Sequence, residues 1–437
     1  MKTVLIDGYN LGLEKGTGVA TYARNLSREI GQLGHKVSVL YGNRSSSSRD
    51  PLLREITFFD STPDRRKGVL KWLNVAHHAL RGPLGRSAVD VPMTGRVISR
   101  SFAARMPHHD RILNSPDLFR RSQDSFRLWG KLGEVRLPDT PDLVHWTYPI
   151  PLRVRRCPNI YTLHDIVPLR LPYTTLDDKR SYLKLMRRLD ASADHIVTVS
   201  ENSRRDLIEI AGISSERVTN TYQSVSIPAS LREKAEEQVA REIEGFAGTA
   251  YKGYFLFFGS IEPKKNVGRI IEAYLASTTN APLVILGAQA WKSTAELQLL
   301  DALSTRAVSV SRHDGTARKQ IIHLPYAPFG LLVSMIRGAR AVLFPSLYEG
   351  FGLPVLEAML LGTPVICSDT SSLPEVAGDA ALMVDPYDAA AISAAIRQID
   401  EDADLREELG RRGLAQAARF SPEAHRDRLH AVYQRLL

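Results

Sequence analysis

Two glutamates, Glu349 and Glu357, bracket the segment Glu349-Gly350-Phe351-Gly352-Leu353-Pro354-Val355-Leu356-Glu357. The segment follows an apolar stretch ending in Phe344-Pro345-Ser346, which reads as a strand. Pro354 suits the start of a helix, where its missing N–H would be unpaired anyway, and Gly362 is placed to end that helix. One carboxylate therefore falls in a loop and the other in the first part of a helix. The glycines between them let backbone approach a ligand closely, and the helix N-terminus offers free N–H groups to an anion. A carboxylate repels a phosphate, so each glutamate should instead accept hydrogen bonds from hydroxyls. Phosphate-binding amides beside hydroxyl-binding carboxylates suit a sugar nucleotide. Spacing alone leaves an alternative open, with Glu357 favouring a helix dipole and Glu349 solvated.

Three further segments carry chemistry. Gly259-Ser260-Ile261-Glu262-Pro263-Lys264-Lys265-Asn266 follows a strand and puts an ammonium at its carboxyl end, where Lys serves a diphosphate as a point charge. An exposed charged turn is the competing reading, more natural for Lys264 than for Lys265. Gly12-Leu13-Glu14-Lys15-Gly16-Thr17-Gly18 runs into a helix and could hold an anion, but it lacks the three spaced glycines of a dinucleotide fingerprint. Taken alone, those glycines read better as an ordinary tight turn. Tyr161-Thr162-Leu163-His164-Asp165 ends a strand at His164, where ligands of parallel sheets bind. No Ser, His and Asp arrangement suggests a hydrolase triad, and no Cys or His falls at metal-ligand spacing. Asp400-Glu401-Asp402 lies in an acidic helical stretch and reads as a solvated face, not a metal motif.

The elements that must position these residues follow from hydrophobic period. Short apolar runs alternate with helical-period segments along most of the chain. This predicts an α/β protein of two doubly wound, Rossmann-like domains with parallel sheets. Strand candidates in the first include Thr3–Asp7, Lys36–Tyr41, Ile56–Phe59 and Leu143–Trp146. A helix there places Val19, Tyr22, Ala23, Leu26, Ile30 and Leu33 on one face. A charged helix over Leu231–Glu244 precedes the second alternation, which includes Leu283–Leu286 and Ala341–Phe344. The boundaries expected are 1–230, 231–415 and a closing helical segment 416–437. Between about residue 44 and residue 142 the pattern decays into Arg-rich, Pro- and Ser-punctuated sequence, read as an insertion on the first domain.

Composition narrows the class. The 437 residues are 43% hydrophobic and 24% charged, which fits an ordinary globular protein and excludes wholesale disorder. Cys157 and Cys367 make no disulfide framework, so a reducing cytoplasm is expected. No apolar run approaches a membrane-spanning length, and the start Met1-Lys2-Thr3-Val4-Leu5-Ile6-Asp7 is too short a stretch for a signal peptide. The net charge of +9 is unevenly placed: from Arg44 to Arg136, 15 Arg and 3 Lys face only 9 acidic residues, so the whole excess sits there. Two readings stand for that segment. One is a solvated surface with Arg stems packed on apolar neighbours. The other is that Trp72, Leu73, Leu80, Phe102, Phe119, Phe126 and Trp129 face anionic lipid or a lipid-diphosphate acceptor.

Together these motifs resemble a family 4 retaining glycosyltransferase of the GT-B fold, in particular bacterial polysaccharide mannosyltransferases. The resemblance is strongest from Phe344-Pro345-Ser346-Leu347-Tyr348-Glu349 through Gly362-Thr363-Pro364-Val365 to Ser372-Leu373-Pro374-Glu375-Val376-Ala377-Gly378. It is supported by Ile261-Glu262-Pro263-Lys264-Lys265-Asn266, Leu163-His164-Asp165 and Thr198-Val199-Ser200-Glu201-Asn202-Ser203. It implies that Glu357 holds the ribose hydroxyls and Glu349 contacts the transferred sugar. Gly350 and the amides of Phe351, Gly352 and Leu353 would meet sugar and phosphate oxygens, and Lys265 would neutralise the departing diphosphate. Gly16 and Gly18 would belong to a loop closing over the phosphates, His164 would lie beside the sugar, and Leu324 would border the base. The last helix would cross back onto the first domain. Ser260 stands where many members carry an Arg, Tyr222-Gln223 where many have Asn-Gly, and Gly16-Thr17-Gly18 where a glycine pair is usual.

The expected activity is transfer of a hexose, first mannose from GDP-mannose, to an acceptor hydroxyl in polysaccharide or lipopolysaccharide assembly. The resemblance implies retention of configuration and neither metal nor cofactor. The partners expected are the nucleotide sugar, a glycan or lipid-linked diphosphate glycan acceptor, and anionic membrane touched peripherally by residues 44–136. The expected location is the cytoplasm or the inner face of its membrane. A sugar-nucleotide epimerase of the same two-domain architecture is the alternative. A nucleic-acid-binding protein is suggested by charge alone, and no recognisable module supports it.

Overall fold

The structure, a computed structural model, describes residues 1–11, 18–44, 48, 50–60, 85–97, 106–288, 310–311 and 318–437. Strands such as Thr3–Asp7 and Phe255–Phe258 are buried along nearly their whole length, as parallel strands covered on both faces must be. Among the described residues, eight strands form the first sheet, in the spatial order Val218–Asn220, His195–Thr198, Asn159–Thr162, Leu143–Trp146, Thr3–Asp7, Lys36–Tyr41, Arg111–Asn114 and Val89–Asp90. All neighbours are parallel except the last pair. Helix Gly18–Gln32 buries Ala20, Tyr22, Ala23, Leu26 and Ile30, and Gly34 just beyond it adopts φ +79°, open to glycine at no steric cost. The second sheet has, among the described residues, six parallel strands, ordered Ile321–Leu324, Leu283–Leu286, Phe255–Phe258, Ala341–Phe344, Val365–Ser368 and Leu382–Val384. Two doubly wound sheets in one chain constitute the GT-B arrangement.

The basic stretch departs from its reading as an insertion. Arg111–Asn114 and Val89–Asp90 are strands of the main sheet, and Arg86–Ser87, Gly133–Arg136 and Leu152–Val154 form a small sheet beside it. The segment Ile56–Phe59 is not a strand but the end of helix Pro51–Phe59. Its start is set by the Asp50 carboxylate, which accepts from Leu52 N–H at 2.8 Å, and by Pro51 at the first position. Phe119 and Phe126 lie on the buried face of helix Leu118–Trp129, so they are core residues and do not face lipid. Trp72, Leu73, Leu80 and Phe102 fall outside the described residues. Several arginines here are paired locally: Arg44 and Arg121 reach Asp117 at 2.7 and 3.3 Å, and Arg111 bridges Asp90 and Asp139.

Helix Leu231–Glu244 of the sequence reading is two helices, Ala229–Arg232 and Glu236–Ala247. At the other end, helix Ala403–Ala417 starts at Asp402, whose carboxylate caps Leu405 N–H at 2.8 Å, while Asp400 pairs with Arg340. The chain then turns through Ala418–Phe420 into helix Pro422–Tyr433, which packs on helix Gly18–Gln32 of the first domain. Arg426 meets Glu29 at 2.7 Å, and the Tyr433 hydroxyl meets His145 Nδ1 at 2.7 Å. At the entry to the linker Tyr222 holds φ +56°, a left-handed conformation more natural for Asn or Gly. Its ring is held edge-on to Phe420 at 5.3 Å, with the Arg428 guanidinium 4.8 Å above it.

Candidate active site

Strand Ala341–Phe344 delivers the chain into the loop that carries Glu349, and helix Leu353–Leu360 begins four residues after Glu349. Gly352 precedes that helix with φ +105°, a backbone conformation that side chains resist. A Cβ on Gly350 would sit 2.7 Å from the His164 carbonyl oxygen of the first domain, so the two domains touch at the site itself. Two serines hold the loop. Ser371 Oγ accepts from Glu349 N–H at 3.0 Å, and the Ser372 hydroxyl donates to the carbonyls of Glu349 and Phe351 at 3.0 and 2.8 Å. The first N–H groups of the helix lack intrahelical acceptors and so suit an anion.

The lysine turn Pro263–Lys265 packs against this loop. Asn266, at φ +61°, donates to the carbonyls of Pro345 and Pro386 at 3.0 and 2.7 Å, and Leu347 N–H donates to the Lys264 carbonyl at 2.8 Å. Lys265 Nζ lies 2.6 Å from Glu349 Oε1 and 4.6 Å from the centre of the Phe344 ring. Lys264 is also largely buried, with Nζ 3.9 Å from Glu349 Oε2, and so is not the exposed turn residue its sequence suggested. Burial alone would raise the Glu349 acid. The ammonium groups of Lys265 and Lys264 overcome it and hold the carboxyl below its ordinary range. Burial disfavours the charged form of Lys264, yet the carboxylates of Glu349, Asp165 and Glu262 carry it above its ordinary range. Glu357, further into the helix, is pushed up to about 7 by burial, against a weaker pull from Lys265.

Across the cleft, His164 Nε2 is 2.9 Å from the Thr147 carbonyl. A carbonyl only accepts, so Nε2 carries the proton and Nδ1 of the neutral ring is an acceptor. Burial lowers this imidazole, which favours that neutral form, and the Tyr22 ring stands edge-on to it at 4.8 Å. Thr147 is itself held by Asp7, which accepts from the N–H groups of Thr147 and Tyr9 and is pushed up to about 6 by burial. Asp7 drew no attention in the sequence, although one acid closing an apolar strand was a usable signal.

The structure thus brings His164, Lys264, Lys265, Glu349, Gly350, Phe351 and Gly352 together. Gly18 joins them, because a Cβ there would sit 3.3 Å from Leu353 Cδ1. Gly16 lies outside the described residues. Ser260 is on the exposed side of its turn, its hydroxyl 3.3 Å from Glu262. Leu324 is half-buried at the end of an edge strand. A separate cavity of about 230 Å³ on the first domain, lined among others by Lys131, Glu134, Arg153, Arg155 and Arg188, shares no residue with this site. Among the described residues no cluster of His, Cys, Asp and Glu is arranged to hold a metal, and no helix is long and apolar enough to cross a membrane.

A carboxylate paired with lysine, glycine-rich amides and a neutral imidazole where two domains meet have the chemistry to hold an anionic sugar compound, and sequence comparison gives the family. The model described as Glycosyltransferase Family 4 matches residues 16–225, and that described as Glycosyl transferases group 1 matches residues 241–416. Escherichia coli O-antigen chain mannosyltransferase B is 37% identical over 281 residues, covering 63% of this chain and 69% of the relative. O-antigen chain mannosyltransferase RfbU of Salmonella typhimurium is 26% identical, covering 55% of this chain and 60% of that protein. The chain belongs to the family 4 glycosyltransferases, and with them rather than with the epimerases lies its activity. Solved structures of similar fold include Anabaena Alr3699/HepE in complex with UDP and glucose, at TM-score 0.64 and 14% identity over 100% of both chains. WaaG, a glycosyltransferase involved in lipopolysaccharide biosynthesis, aligns at TM-score 0.59 and 14% identity over 97% of this chain and 98% of its own.

Proposed function

We propose that this glycosyltransferase moves a mannosyl group from GDP-mannose to an acceptor hydroxyl of a growing O-antigen polysaccharide, with retention and without a metal. The observation that carries the reading is the buried Glu349–Lys265 pair at 2.6 Å, set beside the helix start at Gly352 and Leu353. The similarity to O-antigen mannosyltransferases supports the choice of sugar and acceptor class. In this reading Glu357 accepts from the ribose hydroxyls, and the loop amides with Lys265 and Lys264 hold the diphosphate. Neutral His164 accepts a sugar hydroxyl through Nδ1.

As the sugar–phosphate bond lengthens, negative charge grows on the diphosphate oxygen, and preorganised lysines and amides stabilise it there. The acceptor hydroxyl attacks from the face the phosphate leaves, and the departing phosphate oxygen takes its proton. Glu349, kept ionised by its lysines, faces the sugar and compensates positive charge at the anomeric carbon. The work takes place in the cytoplasm, with the acceptor presented at the membrane's inner face. Transfer and donor hydrolysis with GDP-mannose, UDP-glucose and UDP-N-acetylglucosamine test the reading. GDP-mannose should be preferred, and Glu349→Ala should lose about 100-fold or more in turnover, as removal of one transition-state partner does. Unchanged turnover in the variant would remove Glu349 from the mechanism, and preference for a UDP donor would replace the donor assigned.

A further inference from the structure

Two motifs that mark the family, Thr198-Val199-Ser200-Glu201-Asn202-Ser203 and Ser372-Leu373-Pro374-Glu375-Val376, take no part in the chemistry above. The structure brings them together across the cleft. Helix Glu201–Glu209 of the first domain is capped by Ser200, whose hydroxyl oxygen accepts from Ser203 N–H at 3.0 Å. The N–H groups of Glu201 and Asn202 have no partner within the helix. Both are taken by the Glu375 carboxylate of the second domain, at 2.7 and 3.2 Å. The buried Ser203 hydroxyl donates to the Gly350 carbonyl at 3.1 Å. One turn further on, Asp206 accepts from the Tyr348 hydroxyl of the second domain and from Arg170 at 2.9 Å. Positions 202, 203 and 206 share one helix face by their spacing. Their partners Tyr348 and Gly350 flank Glu349, and Glu375 follows the serines that hold the Glu349 backbone.

We propose that Tyr348 and Glu375 of the second domain, with Ser203 and Asp206 of the first, form a latch that fixes the Glu349 loop against helix Glu201–Glu209. All four are positioning residues: they set where the Glu349 carboxylate stands once the two domains are engaged. Two of the three crossings are charge-assisted, carboxylate to helix N-terminus and phenol to carboxylate, and so are the strong kind. The nucleotide-binding groups Lys265 and Glu357 belong to the second domain alone, so the latch should govern turnover far more than nucleotide affinity. This effect on turnover rests on the glycosyl-transfer reading of Glu349; the latch itself does not.

The test uses the full chain and the variants Tyr348→Phe, Asp206→Asn, Glu375→Gln, and Tyr348→Phe with Glu375→Ala. Small-angle scattering should show the wild type compact and the Tyr348→Phe/Glu375→Ala variant with a larger radius of gyration. In the donor assay each single variant should lose about 10- to 100-fold in kcat, the range expected for a hydrogen bond to a charged group. GDP and UDP affinities by calorimetry should move by less than about threefold, and combining Tyr348→Phe with Asp206→Asn should cost no more than the worse single change. Unchanged scattering and unchanged kcat would overturn the latch. So would a kcat loss matched by equal loss of nucleotide affinity or by a falling melting temperature, which marks a scaffold role only. Asp206→Asn, which keeps the side chain's shape, decides the matter should Tyr348→Phe fold poorly. If the wild type turns over none of the donors, the functional reading fails and scattering alone decides the latch.

Discussion

Glu349 and Glu357 stand on either side of one helix start, and their surroundings drive them to opposite ionisation. The loop around Glu349 abuts the lysine turn, and with Lys265 at 2.6 Å and Lys264 at 3.9 Å its carboxyl stays charged despite burial. Glu357 lies in the helix, feels Lys265 only weakly, and is pushed up to about 7. Depth of burial is therefore not what sets the state of a carboxyl in this cleft. An ammonium within ion-pair distance is. The consequence is a contrast between a carboxyl that its lysines hold ionised and one that titrates near 7; in the proposed mechanism the first would face the sugar and the second the ribose.

Removing the ammonium should have the largest effect. Lys265→Met leaves Glu349 buried beside the weaker partner Lys264 and should cost about 3–5 kcal/mol in denaturant unfolding, as broken buried pairs do. Turnover should fall by about 100-fold or more, since in the proposed mechanism the leaving diphosphate loses a cation. Stability and rate both within twofold of wild type would show that Lys265 is not what keeps Glu349 ionised.

Next is Glu357→Gln, which should weaken GDP by about tenfold at pH 8, by loss of charge-assisted hydrogen bonds. Wild-type GDP affinity should rise from pH 6 to pH 8 as the acid ionises, whereas the Gln variant should stay flat in calorimetry. Stability should move the other way. The folded-state value of about 7 lies above the ordinary 4.5, so the group's favourable contribution is full below 4.5 and is lost as pH climbs to 7. Glu357→Gln should accordingly be more stable than wild type at pH 8, by about 1–3 kcal/mol.

Lys264→Met is a milder probe of the same contrast, because its distance to Glu349 is 3.9 Å. A loss of about three- to tenfold in kcat is expected, consistent with a more distant charge. Smallest of all, Ser260→Ala should leave rate and donor KM within about twofold, as exposed substitutions generally do. A tenfold rise in KM would show that the hydroxyl turns inward to the donor.

Much of the site could be read from the chain because its parts are local. A strand end, two glycines and a proline place Glu349 and Glu357 relative to a helix, and Pro263-Lys264-Lys265-Asn266 is a turn by composition. Lys264 was misjudged because burial of a turn residue depends on a loop more than 80 positions away. Asp206, Glu375 and Asp7 were overlooked for the same reason, since their partners are remote in sequence or are backbone groups. In the basic stretch the two-residue strand Val89–Asp90 is too short to show a period. At Ile56–Phe59 an apolar run suggested a strand, yet the cap of Asp50 and Pro51 decided for a helix.

The docking of helix Pro422–Tyr433 also constrains the order in which the chain can become a protein. His145 sits fully buried in the first sheet, neutral because burial pushes it down to about 3, with Thr162 on one ring nitrogen and Tyr433 on the other. During synthesis residues 1–230 are made while residue 433 is still just over two hundred codons away. Until helix Pro422–Tyr433 is made, one polar atom in the interior of the first domain lacks its native partner and the face of helix Gly18–Gln32 that it packs on stays uncovered. The amino-terminal half therefore waits for helix Pro422–Tyr433, and a ribosome stalled short of Tyr433 would hold a domain that is shaped but unsealed.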